Sequence, residues 1–189
     1  MYERSMLPEF SECKTREEYE RVLRQAGFCH IGGGLYAEVY GLPGTDWVVK
    51  ATRGDTSYIK FLHFVRQLPC ELFPHIYDHF EITPEDGYLW TVTVLEKLDN
   101  LRTRNDANTL ANVAHFVASK SMSKGSQYFW WGDEPDQSSL SGDFLAACEL
   151  LGEYAAEVNK TAARHLNLDL HSGNIMLRGE QMVITDPFS

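Results

Sequence analysis

The chain has no pair of cysteines at CxxC spacing. Its four, Cys13, Cys29, Cys70 and Cys148, are scattered, which excludes a zinc ribbon or a dithiol redox motif and reads as reduced thiols in a cytoplasm. No apolar run approaches the roughly twenty residues that cross a bilayer, so no membrane association is expected. The opening MYERSMLPEFSECKTREE is charged early and has no apolar centre, which excludes a signal peptide. Basic residues are also few, with 17 Lys and Arg against 27 Asp and Glu and a formal charge of −10. Nucleic-acid binding over a broad basic face is thereby excluded, because counterion release needs clustered Lys and Arg. The acid surplus serves solubility. Internal repeats are absent.

Apolar residues are plentiful. Hydrophobic residues make up 43% of 189, with four Trp, nine Tyr and ten Phe, enough for one domain or for two small lobes sharing a cleft. Thr15-Arg16-Glu17-Glu18 is a capping box, followed by Tyr19, Val22, Leu23 and Ala26 on one helical face and by Gly27 as a stop, so a helix is expected over 15–26. Strand signals follow at 29–31, 36–40 and 47–51, with a turn over 41–46. Residues 56–68 read as a helix with Tyr58, Phe61, Leu62, Val65 and Leu68 on one face, ended by Pro69. Two further strands are expected at 73–80 and 88–95, across a turn at 83–87.

The second half has helical spacing: Leu110, Val113, Ala114 and Val117, then Phe144, Cys148, Leu151, Ala155 and Val158. The aromatic run Tyr128-Phe129-Trp130-Trp131 between them reads as core or a packed loop. A loop over 164–174 leads into a hairpin of 175–177 and 182–185 around Gly179.

The chemistry concentrates at the end of the chain. Asp169 is followed after five residues by Asn174 and after twelve more by Asp186. Phosphoryl transfer needs an in-line nucleophile, metal on the phosphates and cations for developing charge. Asp169 suits the base that orients or deprotonates an attacking hydroxyl. Asn174 offers a neutral amide oxygen and Asp186 a carboxylate to Mg²⁺, which takes few protein oxygens. The intervening hairpin returns Asp186 to Asn174. Earlier in the chain, Gly32-Gly33-Gly34 between two strands permits close backbone approach to a phosphate, and Val48-Val49-Lys50 on the next strand supplies a lysine for the α/β-phosphates. Leu95-Glu96-Lys97-Leu98 is the expected hinge, where adenine bonds the backbone of Glu96 and Lys97. Val39, Val49 and Met176 are the expected apolar walls.

The order glycine loop, strand lysine, helix, hinge, Asp169 loop and Asp186 resembles the protein-kinase-like phosphotransferases. Asp169-Leu170-His171-Ser172-Gly173-Asn174-Ile175-Met176 and Ile184-Thr185-Asp186-Pro187-Phe188-Ser189 are most similar to the early serine/threonine protein kinases of T7-type bacteriophages. The likeness runs from about Ala26 to Ser189 and includes Phe73-Pro74-His75-Ile76-Tyr77-Asp78. It implies an α+β bilobal fold, with an antiparallel N-lobe over about 1–95, a hinge at 96–98 and a reduced, mainly helical C-lobe over 99–189. It also implies an ATP- and Mg²⁺-dependent kinase in the host bacterial cytoplasm, acting on Ser and Thr of host proteins that include the transcription and RNA-processing machinery.

Three departures from the family pattern stand out. His-Arg-Asp reads Asn167-Leu168-Asp169, so activation by an Arg–phosphate pair is not expected. Asp-Phe-Gly reads Asp186-Pro187-Phe188, and Pro187 stiffens that segment. Residues 56–68 contain no Asp or Glu, leaving Asp55 or Glu71 as the acidic partner of Lys50. The chain stops before an activation loop or peptide-binding helices, which suggests a minimal kinase whose end lies at its own active site. Self-phosphorylation at Ser189 is therefore expected, and it would inhibit by charge repulsion beside Asp186. His171 is expected to be a hydrogen bonder within its loop. Two other readings stay open. One is a pseudokinase-like module that occupies a host protein without catalysis. The other is a small-molecule phosphotransferase, suggested by Asp-Leu-His-x-Gly-Asn, although the chain leaves no room after Ser189 for that acceptor subdomain.

Overall fold

The computed structural model describes residues 2–10, 13–68, 70–82, 89–123, 134–161 and 165–189. They form a mixed α/β structure with four α-helices, and the chain divides into two compact units, Met1–Ile59 with Pro74–Lys97 and Lys60–Phe73 with Leu98–Ser189. The expected turn at 83–87, Pro69, Tyr88 and the aromatic run Tyr128 to Trp131 lie outside the described residues.

The first unit is built on a five-stranded antiparallel sheet. Its strands are β1 (Cys29–Gly33), β2 (Ala37–Gly41), β3 (Trp47–Arg53), β4 (Ile76–Ile82) and β5 (Trp90–Glu96), in the order β1-β2-β3-β5-β4. Helix α1 (Arg16–Gln25) precedes the sheet. The Thr15 hydroxyl accepts from the N–H of Glu18 at 3.2 Å, and the Glu18 carboxylate accepts from the N–H of Lys14 at 2.8 Å. The reciprocal bond of the capping box thus lands one residue before the cap. At the other end Gly27 takes φ +89°, Phe28 N–H bonds Leu23 O at 3.0 Å and Gly27 N–H bonds Arg24 O at 3.0 Å, the paired bonds of a Schellman stop. Its usual apolar contact is supplied by Leu23 and Phe28, both in the core with Tyr19, Tyr40, Trp47, Val49, Val92 and Val94.

The N-terminal segment straps onto this unit. Tyr2 packs edge-on against Trp47 at 5.3 Å, Arg4 pairs with Asp78 at 2.8 Å and lies 4.3 Å over the Phe80 ring, and Phe10 stacks on Phe80 at 5.7 Å. Burial pushes the Asp78 carboxyl up, but bonds from Tyr2, the His79 N–H and Arg4 outweigh it and hold the carboxyl below its usual range.

Helix α2 (Thr56–Gln67) starts in the first unit and groups with the second from Lys60 onward. The expected N-lobe over 1–95 took the whole helix. The cause of the difference is its aromatic face: Phe61 meets Phe73 and Phe188, and Phe64 meets Phe73 and Tyr154, all in the second unit. Leu68 does not share the buried face, being 43% exposed one residue beyond the helix. The strand expected at 73–80 begins only at Ile76, and Phe73 closes a turn with its N–H on Cys70 O at 3.0 Å.

In the second unit α3 (Ala107–Met122) and α4 (Gly142–Asn159) pack closely. A Cβ at Gly152 would lie 2.0 Å from the carbonyl oxygen of Ala118, so only glycine permits this approach. A three-stranded sheet joins β6 (Asp99–Asn100), β7 (Ile175–Arg178) and β8 (Gln181–Ile184) in that order, with Gly179 at φ +62° in the β7–β8 turn. Arg178 anchors 71–73 to this hairpin through the carbonyls of Glu71 and Phe73, and Ile184 N–H adds a 2.9 Å bond to Leu72 O. Among the described residues no helix is long and apolar enough to cross a membrane.

Candidate functional site

The sequence candidates fall into two groups, one in each unit. In the second unit, Asn174 immediately precedes β7 and Asp186 follows β8. Ile175 pairs with Ile184, Thr185 N–H bonds Asn174 O at 2.9 Å, and Thr185 Oγ1 donates to the same oxygen at 3.1 Å. The hairpin thus carries Asp186 back beside Asn174. The Asn174 amide Nδ2 donates to the main-chain oxygen of Asp169 at 2.8 Å and lies 3.4 Å from Asp169 Oδ2. This commitment of the nitrogen leaves Oδ1 as the outward acceptor. Asp169 is fixed from its other side, donating its N–H to Pro187 O at 2.7 Å, next to the bridge between Leu168 and Phe188. Its side chain remains 44% exposed, so the carboxylate is accessible while its backbone is held.

His171 sits in the same loop. Its Nδ1 accepts from Gly173 N–H at 2.9 Å and its carbonyl from Asn174 N–H at 2.9 Å, while Nε2 lies 3.9 Å from Asp169 Oδ2. A Cβ at Gly173 would meet Arg102 Nη2 at 2.7 Å and the His171 ring at 2.8 Å, so a larger residue would have to displace those side chains. Sequence reading missed His115. This half-buried α3 residue has its pKa pushed below 6.5 by burial, against an opposing pull from the Asp169 carboxylate. Only the nonlocal approach of α3 to the Asp169 loop reveals it.

The donors here are one amide oxygen and one or two carboxylates. Among the described residues no group of three His, Cys, Asp or Glu surrounds a point. A hard cation that keeps most of its water and binds phosphate oxygens fits such a set. A cation needing a full protein cage does not.

In the first unit, Gly34 N–H bonds Ala37 O at 2.8 Å to close the glycine hairpin. None of Gly32, Gly33 and Gly34 has a left-handed φ. A Cβ at Gly33 would lie 2.8 Å from both Ala37 O and Glu38 Oε2, whereas Cβ atoms at Gly32 and Gly34 would meet nothing within 4 Å. Packing therefore demands glycine only at Gly33, and the fold leaves the approach to Gly32 and Gly34 open. Glu38 itself is held by Arg16 at 2.7 Å and His30 at 2.5 Å.

Lys50 is buried on β3, opposite Val39 and Thr93. Val39 and Lys50 thus share a sheet face. Val49, expected as an apolar wall, projects from the other face into the core with α1 and is fully buried; Val48 lies on the Lys50 side. Asp55 Oδ1 caps α2, accepting from Ser57 and Tyr58 N–H at 3.0 Å each, and Glu71 faces Arg178 at 3.3 Å. The helix residue on Lys50 is Tyr58, whose ring centroid lies 3.7 Å from Nζ.

Glu96 N–H bonds His75 O at 3.1 Å and Lys97 N–H bonds Asp46 O at 2.8 Å, while Glu96 Oε1 accepts from His75 N–H at 2.9 Å. Both backbone donors are committed, so these two residues offer a base only carbonyl oxygens. Met176, on β7, pairs with Val183 and Asn100 and is partly exposed. Ser189 is exposed, with its backbone exchanging two 3.0 Å bonds with Asn167.

No protein-family model matches the chain, and no curated protein does. Among solved structures it is similar to the crystal structure of Rad53 1-466 in complex with AMP-PNP, with a TM-score of 0.39 and 12% identity over 91% of this chain and 42% of that one. The chain thus spans less than half the length of that protein, and a likeness this loose carries no conclusion about activity.

Proposed function

We propose that this chain is an ATP- and Mg²⁺-dependent protein kinase that phosphorylates Ser and Thr hydroxyls of host bacterial proteins. The observation that carries the reading is the tie of the Asn174 amide to the backbone of Asp169, with Asp186 returned beside Asn174 by the β7–β8 hairpin. One short stretch then presents a base and two hard oxygen donors.

Asp169 would accept the proton of the acceptor hydroxyl as its oxygen bonds the γ-phosphorus and the bond to the ADP oxygen breaks. Asn174 Oδ1 and the Asp186 carboxylate would hold Mg²⁺, which supplies charge neutralisation on the phosphates. Lys50 would bond the α/β-phosphates, and the open sides of Gly32 and Gly34 would let main-chain N–H groups approach them. Val39 would line the base, and the carbonyl of Glu96 or Lys97 would accept from its amino group. Ser189, two residues along the ladder from the Asp169–Pro187 bond, is proposed as a site of self-phosphorylation. An unmodified Ser189 by mass spectrometry after long incubation with Mg-ATP would remove that element.

Two measurements test the reading. ATP with Mg²⁺ should raise the melting temperature, since a ligand at a hundred times its Kd stabilises by about 2.7 kcal/mol. Phosphoproteomes of bacteria expressing the wild-type chain should contain Ser and Thr sites missing from those expressing Asp169→Ala. The committed N–H groups of Glu96 and Lys97 favour a second reading, a module that occupies a host protein without catalysis. That reading requires no ATP-induced shift and identical phosphoproteomes.

A further inference from the structure

The residues that lead into Asp169 are bonded one after another. Asn167 exchanges two 3.0 Å backbone bonds with Ser189, Leu168 forms a bridge with Phe188, and Asp169 N–H donates to Pro187 O at 2.7 Å. Leu166, at the head of this run, is held by a side chain instead. The Asn159 Oδ1 accepts from Leu166 N–H at 2.6 Å, and the Asn159 Nδ2 donates to Leu166 O at 3.0 Å. One amide thus takes both backbone groups of one residue, as a neighbouring strand would.

Asparagine suits this place chemically. Its side chain carries a donor and an acceptor in one plane, whereas a carboxylate only accepts and an ammonium only donates. Leu166 is fully buried, so its N–H and C=O need partners within the protein. The platform behind the clamp is firm. Asn159 is the last residue of α4, whose first turn is capped by Ser141 Oγ accepting from Phe144 N–H at 3.2 Å. Midway along, Gly152 brings α4 against the backbone of α3 at Ala118.

We propose that Asn159 is a positioning residue for Asp169, clamping the entry of its loop to α4. The backbone of Asp169 is then fixed from two directions. Pro187 O and the Asn174 amide hold the residue itself, and Asn159 holds the chain three residues upstream. Asn159 bonds no carboxylate of the site and acts through the backbone alone. Such a clamp matters because a reacting group displaced by about 1 Å loses about a hundredfold in rate. The inference rests on the role of base proposed for Asp169. It extends the site to a residue that, in the sequence, is an ordinary helix end.

The test combines amide hydrogen exchange by NMR with the kinetics of phosphate transfer from Mg-ATP, in Asn159→Ala and in Ser141→Ala. The second variant loosens the same helix at its other end and serves as the control for lost stability. In the wild type, Leu166 N–H and the Asn159 side-chain amide should both be protected from exchange. Asn159→Ala should speed exchange of the Asp169 N–H about tenfold or more and lower kcat about tenfold or more, with the KM for ATP unchanged. Ser141→Ala should leave the Asp169 exchange and kcat at their wild-type values. Unprotected Leu166 and Asn159 amides in the wild type overturn the proposal, even if Asn159→Ala folds poorly. So does a wild-type kcat in Asn159→Ala, or an equal fall of kcat in Ser141→Ala. A wild type that transfers no phosphate while Asn159→Ala still frees the Asp169 N–H is a separate failure. It removes the role of Asp169 as base, and this proposal with it.

Discussion

The side-chain amide of Asn174 is bonded to the carbonyl oxygen of Asp169 at 2.8 Å, so one hydrogen bond fixes both the proposed base and the direction of the proposed metal ligand. Asn174→Asp keeps the side-chain oxygens but cannot donate, and it sets a carboxylate against Asp169. Both Asn174→Asp and Asn174→Ala should lower phosphate transfer at least about tenfold, while losing only about 1 kcal/mol of stability with the bond. Steady-state kinetics across a Mg²⁺ titration, beside urea unfolding, separates the two effects. Wild-type transfer by Asn174→Asp would contradict the assignment.

The three glycines of the hairpin should behave differently. Gly33→Ala forces a methyl to 2.8 Å from Ala37 O and the Glu38 carboxylate, and it should cost about 1–3 kcal/mol. Gly32→Ala and Gly34→Ala meet open space and should leave the melting temperature unchanged. If the open side receives phosphates, both should nonetheless weaken ATP binding. Thermal melts with and without Mg-ATP distinguish these outcomes.

Gly152→Ala is expected to be the most damaging small substitution in the second unit. Its methyl would lie 2.0 Å from Ala118 O and 2.9 Å from Met122 N, all backbone of the facing helix, so α3 and α4 would have to separate. A loss of about 3 kcal/mol or more is expected, read as a drop in the urea midpoint. A midpoint within error of the wild type would show that the helices approach less closely.

His115 gives a pH dependence whose sign is fixed. Burial holds its folded pKa below 6.5, so the unfolded chain takes the proton first. Its contribution is complete above pH 6.5, declines as pH falls from there toward the lowered folded value, and then levels off. Between pH 7.5 and 5, His115→Gln should therefore lose less stability than the wild type. Equal slopes in urea unfolding would exclude this role.

What could be read in the sequence was local. The Thr15 and Glu18 cap, the Gly27 stop, Gly179 in its turn and the hairpin between Asn174 and Asp186 depend on bonds a few residues apart, and their residue types declare them. Features set by distant partners could not be read. Two-residue β6 exists because Asp99 and Asn100 pair with Leu177 and Met176. The donors of Glu96 and Lys97 are taken by His75 and Asp46, far away in sequence. Val49 was misassigned because β3 is buried on both faces, which erases the alternation that would tell its two sides apart. Tyr58 looked like one more apolar position, and only the folded chain brings its ring to Lys50.

The central claim is tested most directly by transfer of label from γ-labelled ATP to protein in the presence of Mg²⁺, comparing the wild-type chain with Asp169→Ala. Removing a positioned base costs about two to four orders of magnitude. The wild type should label Ser and Thr, and Asp169→Ala should fall at least about a hundredfold with an unchanged melting temperature. Equal labelling by both proteins, or none by the wild type, would contradict the account.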